Sequence, residues 1–409
     1  MPATPWRRSL VLALVTSTMA LGGSLSAAAS GSGDLDPLFG RDGVVFAPSR
    51  YEAFDVARQG SGKLLVGGHD LLAPYPDGAG MVARYRSDGS PDRDFGADGI
   101  ATTPPRSLLG CQAMAVAPDG AIVCVGTDGS EVSGVAARYR RDGALDPSFG
   151  SGGLASAGEI GDFRSVAVQA DGGVLAASST FGGSLASFTA AGELDPAFDG
   201  DGIVSGPVGA VRLDGAAIAL QSDGNIITTG YDRVPRLVRL EPDGTLDPSF
   251  GRGGVSQRLG VLGASLRSIA VQADGKIVVV GRAAGSLWLV ARFGTEGRLD
   301  RSFGDLGLVV SKQGGLGATD VGVLPDGRIA VCGRGPAGSN YKLVLYGADG
   351  IPDPAFGNNG KAQVQVGARA LSSGPVALVV QRDGKVVLAG NAVDAETEQA
   401  GIALVRFLT

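Results

Sequence analysis

The amino-acid sequence predicts an all-β fold: a seven-bladed β-propeller of four-stranded antiparallel blades, its ring closed by an N-terminal strand that joins the last blade. Three observations predict it. A six-residue phrase recurs seven times: Leu35–Gly40, Pro91–Gly96, Leu145–Gly150, Leu194–Asp199, Leu246–Gly251, Leu299–Gly304 and Pro352–Gly357. Its phenylalanines, Phe39, Phe95, Phe149, Phe198, Phe250, Phe303 and Phe356, are spaced 49 to 56 residues apart, and a period near fifty built from short strands marks a propeller. An Asp-Gly turn between apolar runs recurs with the phrase, and the elements at the two ends of the chain are complementary.

The first residues differ in kind from the repeats. Arg7-Arg8 precedes an apolar run from Leu10 to Leu21, and small residues follow as far as Ala29. A basic start, a short apolar stretch and small residues at the end predict a secretory signal peptide over 1–29, cleaved near Ala29, and a secreted or periplasmic protein. The Arg-Arg pair also permits twin-arginine export. The propeller is expected over 30–409, as a monomer. No later stretch is long and apolar enough to span a membrane.

Within one repeat, four short strands follow in order. In the fifth repeat strand A is Ile269–Gln272, strand B is Lys276–Gly281, strand C is Leu289–Phe293 and strand D is Leu308–Val310. Asp274-Gly275 joins A to B, as do Asp119-Gly120, Asp171-Gly172, Asp223-Gly224, Asp326-Gly327 and Asp383-Gly384, with Ser61-Gly62 in the first repeat. Asp-Gly between two β-branched runs predicts a type I′ hairpin. The phrase joins C to D: its Asp caps backbone N–H groups, its Pro presets φ, and its Phe anchors the turn in the body of the blade or the seam beside it. The chain starts with a phrase and a D strand, Val44–Phe46, and stops after a C strand, Ile402–Phe407. Pairing these two removes two exposed sheet edges and closes the ring.

The units GxLDPSFGxxG and VAVQxDGKIVVVG resemble the delta-60 repeat of bacterial proteins, over about residues 34–409. The resemblance implies a β-propeller and carries no reaction with it. The fourth copy is the weakest, because Asp199 replaces the closing glycine.

Composition narrows the functional classes. The net charge is −6, with no basic run after the first ten residues, so neither nucleic acid nor an anionic membrane surface is an expected partner. The single histidine, His69, rules out a multi-histidine metal site and a histidine-based triad is hard to build. G-x-S-x-G and P-loop strings are missing. Asp199–Gly202 has acidic residues but not the spacing of a calcium loop, and reads as a polar turn. No catalytic residue, metal ligand or cofactor is therefore predicted. The three cysteines read as unpaired thiols, because Cys124 is placed opposite Ala115 and Cys111 lies out of register.

The strand-C arginines, Arg84, Arg138, Arg239, Arg292 and Arg406, are expected to pair with an Asp of their own blade. Function is expected where the repeat breaks, in the D–A and B–C connections that share one face: His69–Gly80, Thr102–Gln112, Tyr231–Arg236, Arg334–Lys342 and Asn391–Gln399. Aromatic and arginine side chains anchor binding surfaces, which selects Tyr51, Tyr75, Tyr231, Arg233, Arg236, Trp288 and Tyr341. Asp55, Arg164, Arg267 and Asp320, placed just before strand A, are expected to line the channel mouth on the same face. Two readings follow. One is a binding or scaffold propeller that presents this face to a protein or glycan. The other is a polysaccharide-acting lyase or hydrolase that uses channel-mouth carboxylates and arginines, with Asp55 and Asp320 as the pair. The first is favoured, since no catalytic motif is present.

Overall fold

The computed structural model describes residues 31–409 except 72–76, 131, 181, 210, 314–316, 336–339, 368–373 and 394–396. The expected signal peptide and Tyr75 lie outside the described residues. Gly31–Thr409 forms one unit of seven four-stranded antiparallel sheets. The one helical element among the described residues is a 3-10 turn, Ala284–Ser286.

The sheets follow the A-B-C-D order that the sequence predicts. In the fifth blade the strands are Ser265–Val271, Ile277–Ala283, Leu287–Phe293 and Leu308–Ser311. Each A strand lies against the A strands of both neighbouring blades, so the seven surround a central channel. The fourth blade departs from the pattern. Its D strand shrinks to a single bridge, Val238 to Val255, and its fourth strand is Pro207–Val208, folded back on the start of strand A.

The ring closes as expected. Val44–Pro48 pairs antiparallel with Ala400–Phe407, Val44 opposite Val405 and Phe46 opposite Ala403, in one sheet with Val386–Val393 and Gly374–Val380. The first phrase therefore serves the last blade. The closing residue of each phrase donates its N–H to a carbonyl in the C–D turn of the next blade, as Gly96 does to Asp142 and Gly304 to Asp349. Gly357 donates the corresponding bond to Ser32, so the circuit is unbroken across the chain ends.

The core is not central. It consists of seven apolar clusters, one between each adjacent pair of blades. Every phrase phenylalanine is in a seam, and none is more than 1% exposed. Apolar residues on both faces of the strands follow from this, because each sheet is covered on both sides.

The A–B turn is not type I′. In the second blade Gly120 N–H bonds the Ala117 carbonyl, and Ala117 N–H bonds the Ala121 carbonyl. Glycine alone takes positive φ there, at +83°, while Asp119 does not. This is a three-residue loop, a type I turn closed by a left-handed residue. Pro118 and Pro325 already exclude the two-residue hairpin, which requires an N–H from that position. The Asp instead accepts the N–H two residues on, as Asp119 Oδ1 does from Ala121 at 2.9 Å.

Cys111 and Cys124 form a disulfide, with Cα atoms 5.1 Å apart, whereas Cys332 is free and buried. This overturns the expectation of three thiols. Cys124 is opposite Met114 rather than Ala115, and the chain before Ala113 folds onto strand B, where Gln112 N–H bonds the Val125 carbonyl. That path brings Cys111 back over Cys124.

Candidate functional site

The strand-C arginines pair with the phrase Asp of their own blade: Arg84 with Asp92 at 2.6 Å, Arg138 with Asp146 at 3.2 Å, Arg239 with Asp247 at 2.6 Å, Arg292 with Asp300 at 2.9 Å and Arg406 with Asp36 at 2.9 Å. Four of the guanidiniums also lie over a phrase phenylalanine, 4.4 to 4.7 Å from its centroid. Most reach on to a carbonyl of the next blade, as Arg239 does to Thr295 at 2.8 Å. Burial raises the carboxyl of Asp92, but Lys63 and Arg84 outweigh it and hold the group below its usual range. These residues form the inter-blade framework.

Asp55 and Asp320 lie within strand A, not before it, each at the bulge of its strand. Both residues are half-buried. Burial, and then the charge of Asp320, push the Asp55 carboxyl up to about 7. Burial raises Asp320 as well. Every oxygen already has a donor. Asp55 accepts N–H from Val56 and, across the seam, from Met114, both at 2.7 Å. Asp320 accepts from Val321 and from Leu378 of the next blade, both at 2.8 Å, and from the Ser268 hydroxyl at 2.6 Å. Ser165 does the same for Ile218 N–H at 3.0 Å. In these three blades the residue just after the strand-A bulge thus staples one inner strand to the next, a signal legible only once the register is known.

Two of the expected anchors are core. Trp288 is fully buried in the seam between the fifth and sixth blades, with Gly333 so close that any Cβ there would collide with the indole. Tyr341 is fully buried and donates to the Asn391 carbonyl at 3.2 Å. Tyr51 is half-buried under the Arg50 guanidinium, 5.3 Å from the ring centroid. His69 belongs to strand B and stacks on Phe54 at 5.0 Å, so it is not part of the loop. Arg164 is bound to Asp162 at 2.6 Å and donates to Gln112 at 3.1 Å. Arg267 is half-buried, and its guanidinium is pushed down by burial and by the charges of Arg282 and Arg334.

The remaining candidates converge. The B–C connection of the fourth blade and the strands around it border an open, groove-like cavity of about 660 Å³, lined by Arg212, Tyr231, Asp232, Arg233, Val234 and Arg258. Arg212 is opposite Tyr231 in the strand ladder, and Tyr231 is opposite Pro235. Asp232 Oδ2 holds Arg236 and Arg258, each at 3.0 Å, and these bonds keep its carboxyl below the usual range. Arg236 is thereby turned inward, where it also donates to the Ser256 carbonyl. Arg212 and Arg233 make no ion pair with any described residue, and both are exposed. Arg233 has φ +70°, a conformation that costs a side-chain-bearing residue about 1–2 kcal/mol. Tyr231 leaves 49% of its surface exposed.

A larger cavity, about 800 Å³, opens on the opposite face among the A–B turns, lined by Gln221, Gln272, Gln381, Arg58 and Arg382, among others. Those turns follow one pattern in six of the seven repeats.

A family model described as a domain of unknown function (DUF5122) beta-propeller matches residues 117–149, 221–250 and 272–303. Each match begins at or beside an A–B turn and ends at or beside the following phrase phenylalanine. No curated protein matches the chain. Among solved structures the chain resembles the Dos1 propeller, 9% identical over 90% of this chain and 85% of that one, with a TM-score of 0.50. A provisionally assigned gluconolactonase is 13% identical over 72% of this chain and 87% of its own, with a TM-score of 0.41. A Bacteroides caccae protein is 13% identical over 77% and 87%, with a TM-score of 0.34. At such identities the likeness concerns the fold alone.

Proposed function

We propose that the protein is a secreted binding propeller of the delta-60 repeat type, which presents its D–A and B–C loop face to a protein or glycan partner. The observation that carries this reading is the cavity at Tyr231 and Arg233. Exposed aromatic and arginine side chains, two of them without an ion pair among the described residues, converge where the repeat breaks, and such residues dominate binding energetics. Secretion is supported by the leader-like composition of 1–29 and by the Cys111–Cys124 disulfide, which suits an oxidising compartment.

The second reading is glycosidic cleavage at the channel. Its support is the Asp55 carboxyl, raised to about 7 as a general acid requires. The backbone donors on both oxygens weigh against it, and an Asp55→Asn variant that abolishes release of reducing sugar from a polysaccharide panel would restore it.

The binding reading is tested by masking one face at a time. Leu262, 86% exposed in a D–A connection, and Ser222, exposed in an A–B turn, are each replaced by cysteine and coupled to a polyethylene glycol maleimide. On a glycan and protein array the Leu262→Cys conjugate should lose binding and the Ser222→Cys conjugate should keep it. The reverse pattern would move function to the opposite face.

A further inference from the structure

We infer that the cavity of the fourth blade binds a uronate of an acidic glycan, with the carboxylate on Arg212 and Arg233 and the sugar ring on Tyr231; this rests on the binding reading above. The charge argument comes first. The whole chain carries −6, yet this cavity gathers three guanidiniums against one carboxylate. The carboxylate is Asp232, and it is already engaged by Arg236 and Arg258. Arg212 and Arg233 are left with donors and no protein acceptor among the described residues. Their planar forks match a carboxylate in geometry.

The apolar part of the lining narrows the class. It consists of one exposed aromatic ring and Val234. The lining has no deep apolar slot for a peptide's hydrophobic anchor, and an acidic peptide, which arginine clusters also bind, is separated by the poly-aspartate measurement below. A pyranose needs only a flat ring beside a polar group, and tyrosine supplies a rigid surface of that kind at low entropic cost. Arg233 is held at positive φ by a tight loop in which Asp232 N–H bonds the Val234 carbonyl at 3.2 Å. Strained backbone of this sort persists where it positions a functional group.

The test is titration calorimetry of the mature protein with tetragalacturonate, with maltotetraose and with poly-aspartate. Tetragalacturonate should bind and should weaken at least tenfold in Arg212→Ala, Arg233→Gly and Tyr231→Ala. Arg233→Gly is the cleanest of these, because glycine adopts φ +70° without strain and the fold is kept. Maltotetraose and poly-aspartate should not bind. If tetragalacturonate fails to bind, or binds with no sensitivity to these substitutions, the uronate assignment is overturned. Poly-aspartate binding as tightly would reduce the cavity to a general cationic patch and also overturn it. Binding of maltotetraose that is lost in the Leu262→Cys conjugate would overturn the uronate while leaving the binding reading intact.

Discussion

The Arg406 guanidinium lies 4.5 Å from the centroid of the Phe39 ring and 2.9 Å from Asp36. The two ends of the propeller sequence thereby build one blade, with the same contact that Arg84, Phe95 and Asp92 make locally in the first. Lys385 adds a second cation to Asp36 at 3.0 Å. Deleting residues 30–47 should therefore lower the single unfolding transition of the whole ring, not add a separate early one. Asp36→Ala, which leaves Arg406 buried without its partner, should cost about 3–5 kcal/mol in urea denaturation. A biphasic melt with the main transition unmoved would show that the seam is dispensable.

The sixth blade supplies a natural experiment on the same contact. Leu345 stands where five of the seven blades have the strand-C arginine, as Ser187 does in the third blade, and Arg328, just before strand B, reaches Asp353 at 2.9 Å. A cation at this position also reaches the phrase Asp in the first, fifth and seventh blades, as Lys63, Lys276 and Lys385, so in the sixth blade it holds Asp353 without a strand-C guanidinium beside it. In the fourth blade Asn225 occupies the position of Arg328. Arg239→Leu alone should cost about 3–5 kcal/mol, since Asp247 is stranded in a buried site. Adding Asn225→Arg should recover at least half of that loss. No recovery in the double variant would mean that the strand-C attachment itself is required.

Most of the fold was legible in the sequence because it is written seven times. Averaging over copies separates turn residues from chance, and the complementary ends predicted the pairing of Val44–Phe46. What occurs once was not legible. The disulfide depends on how the chain before Ala113 curls, which no repeat specifies. Trp288 and Tyr341 stood out by residue type, but their neighbours across the seams bury them. Tyr231 and Arg233 were visible because they interrupt the pattern. Arg212 and Arg258, which complete their cavity, come from flanking segments and are joined to it only by the ladder and by Asp232.

The disulfide closes a short loop, with its cysteines 13 residues apart, and should contribute about 3 kcal/mol. Native protein should take up no iodoacetamide. Denatured protein should react at one thiol, Cys332, and denatured, reduced protein at three. Replacing Cys111 and Cys124 by alanine should lower stability by about that amount. Three reactive thiols in the denatured, unreduced protein would contradict the bond.

The buried carboxyls predict opposite pH dependences in one molecule. Asp92 lies below its usual range in the folded protein, so its contribution is present above about pH 4 and is lost on acidification. Asp55 is raised, by burial and by Asp320, from 3.8 to about 7. The folded state prefers it protonated, so its contribution is complete below pH 3.8 and disappears as pH rises through about 7. Asn at this position mimics the protonated acid and does not titrate. The unfolding free energy of the wild type relative to Asp55→Asn should therefore fall from pH 4 to pH 7, by up to about 1.4 kcal/mol per pH unit, and then level off. Urea titrations across that range measure it. A difference that stays flat between pH 4 and 7 would mean that the Met114 and Val56 N–H groups hold the charged form as well as water does, and that the channel exerts no electrostatic pressure on this carboxylate.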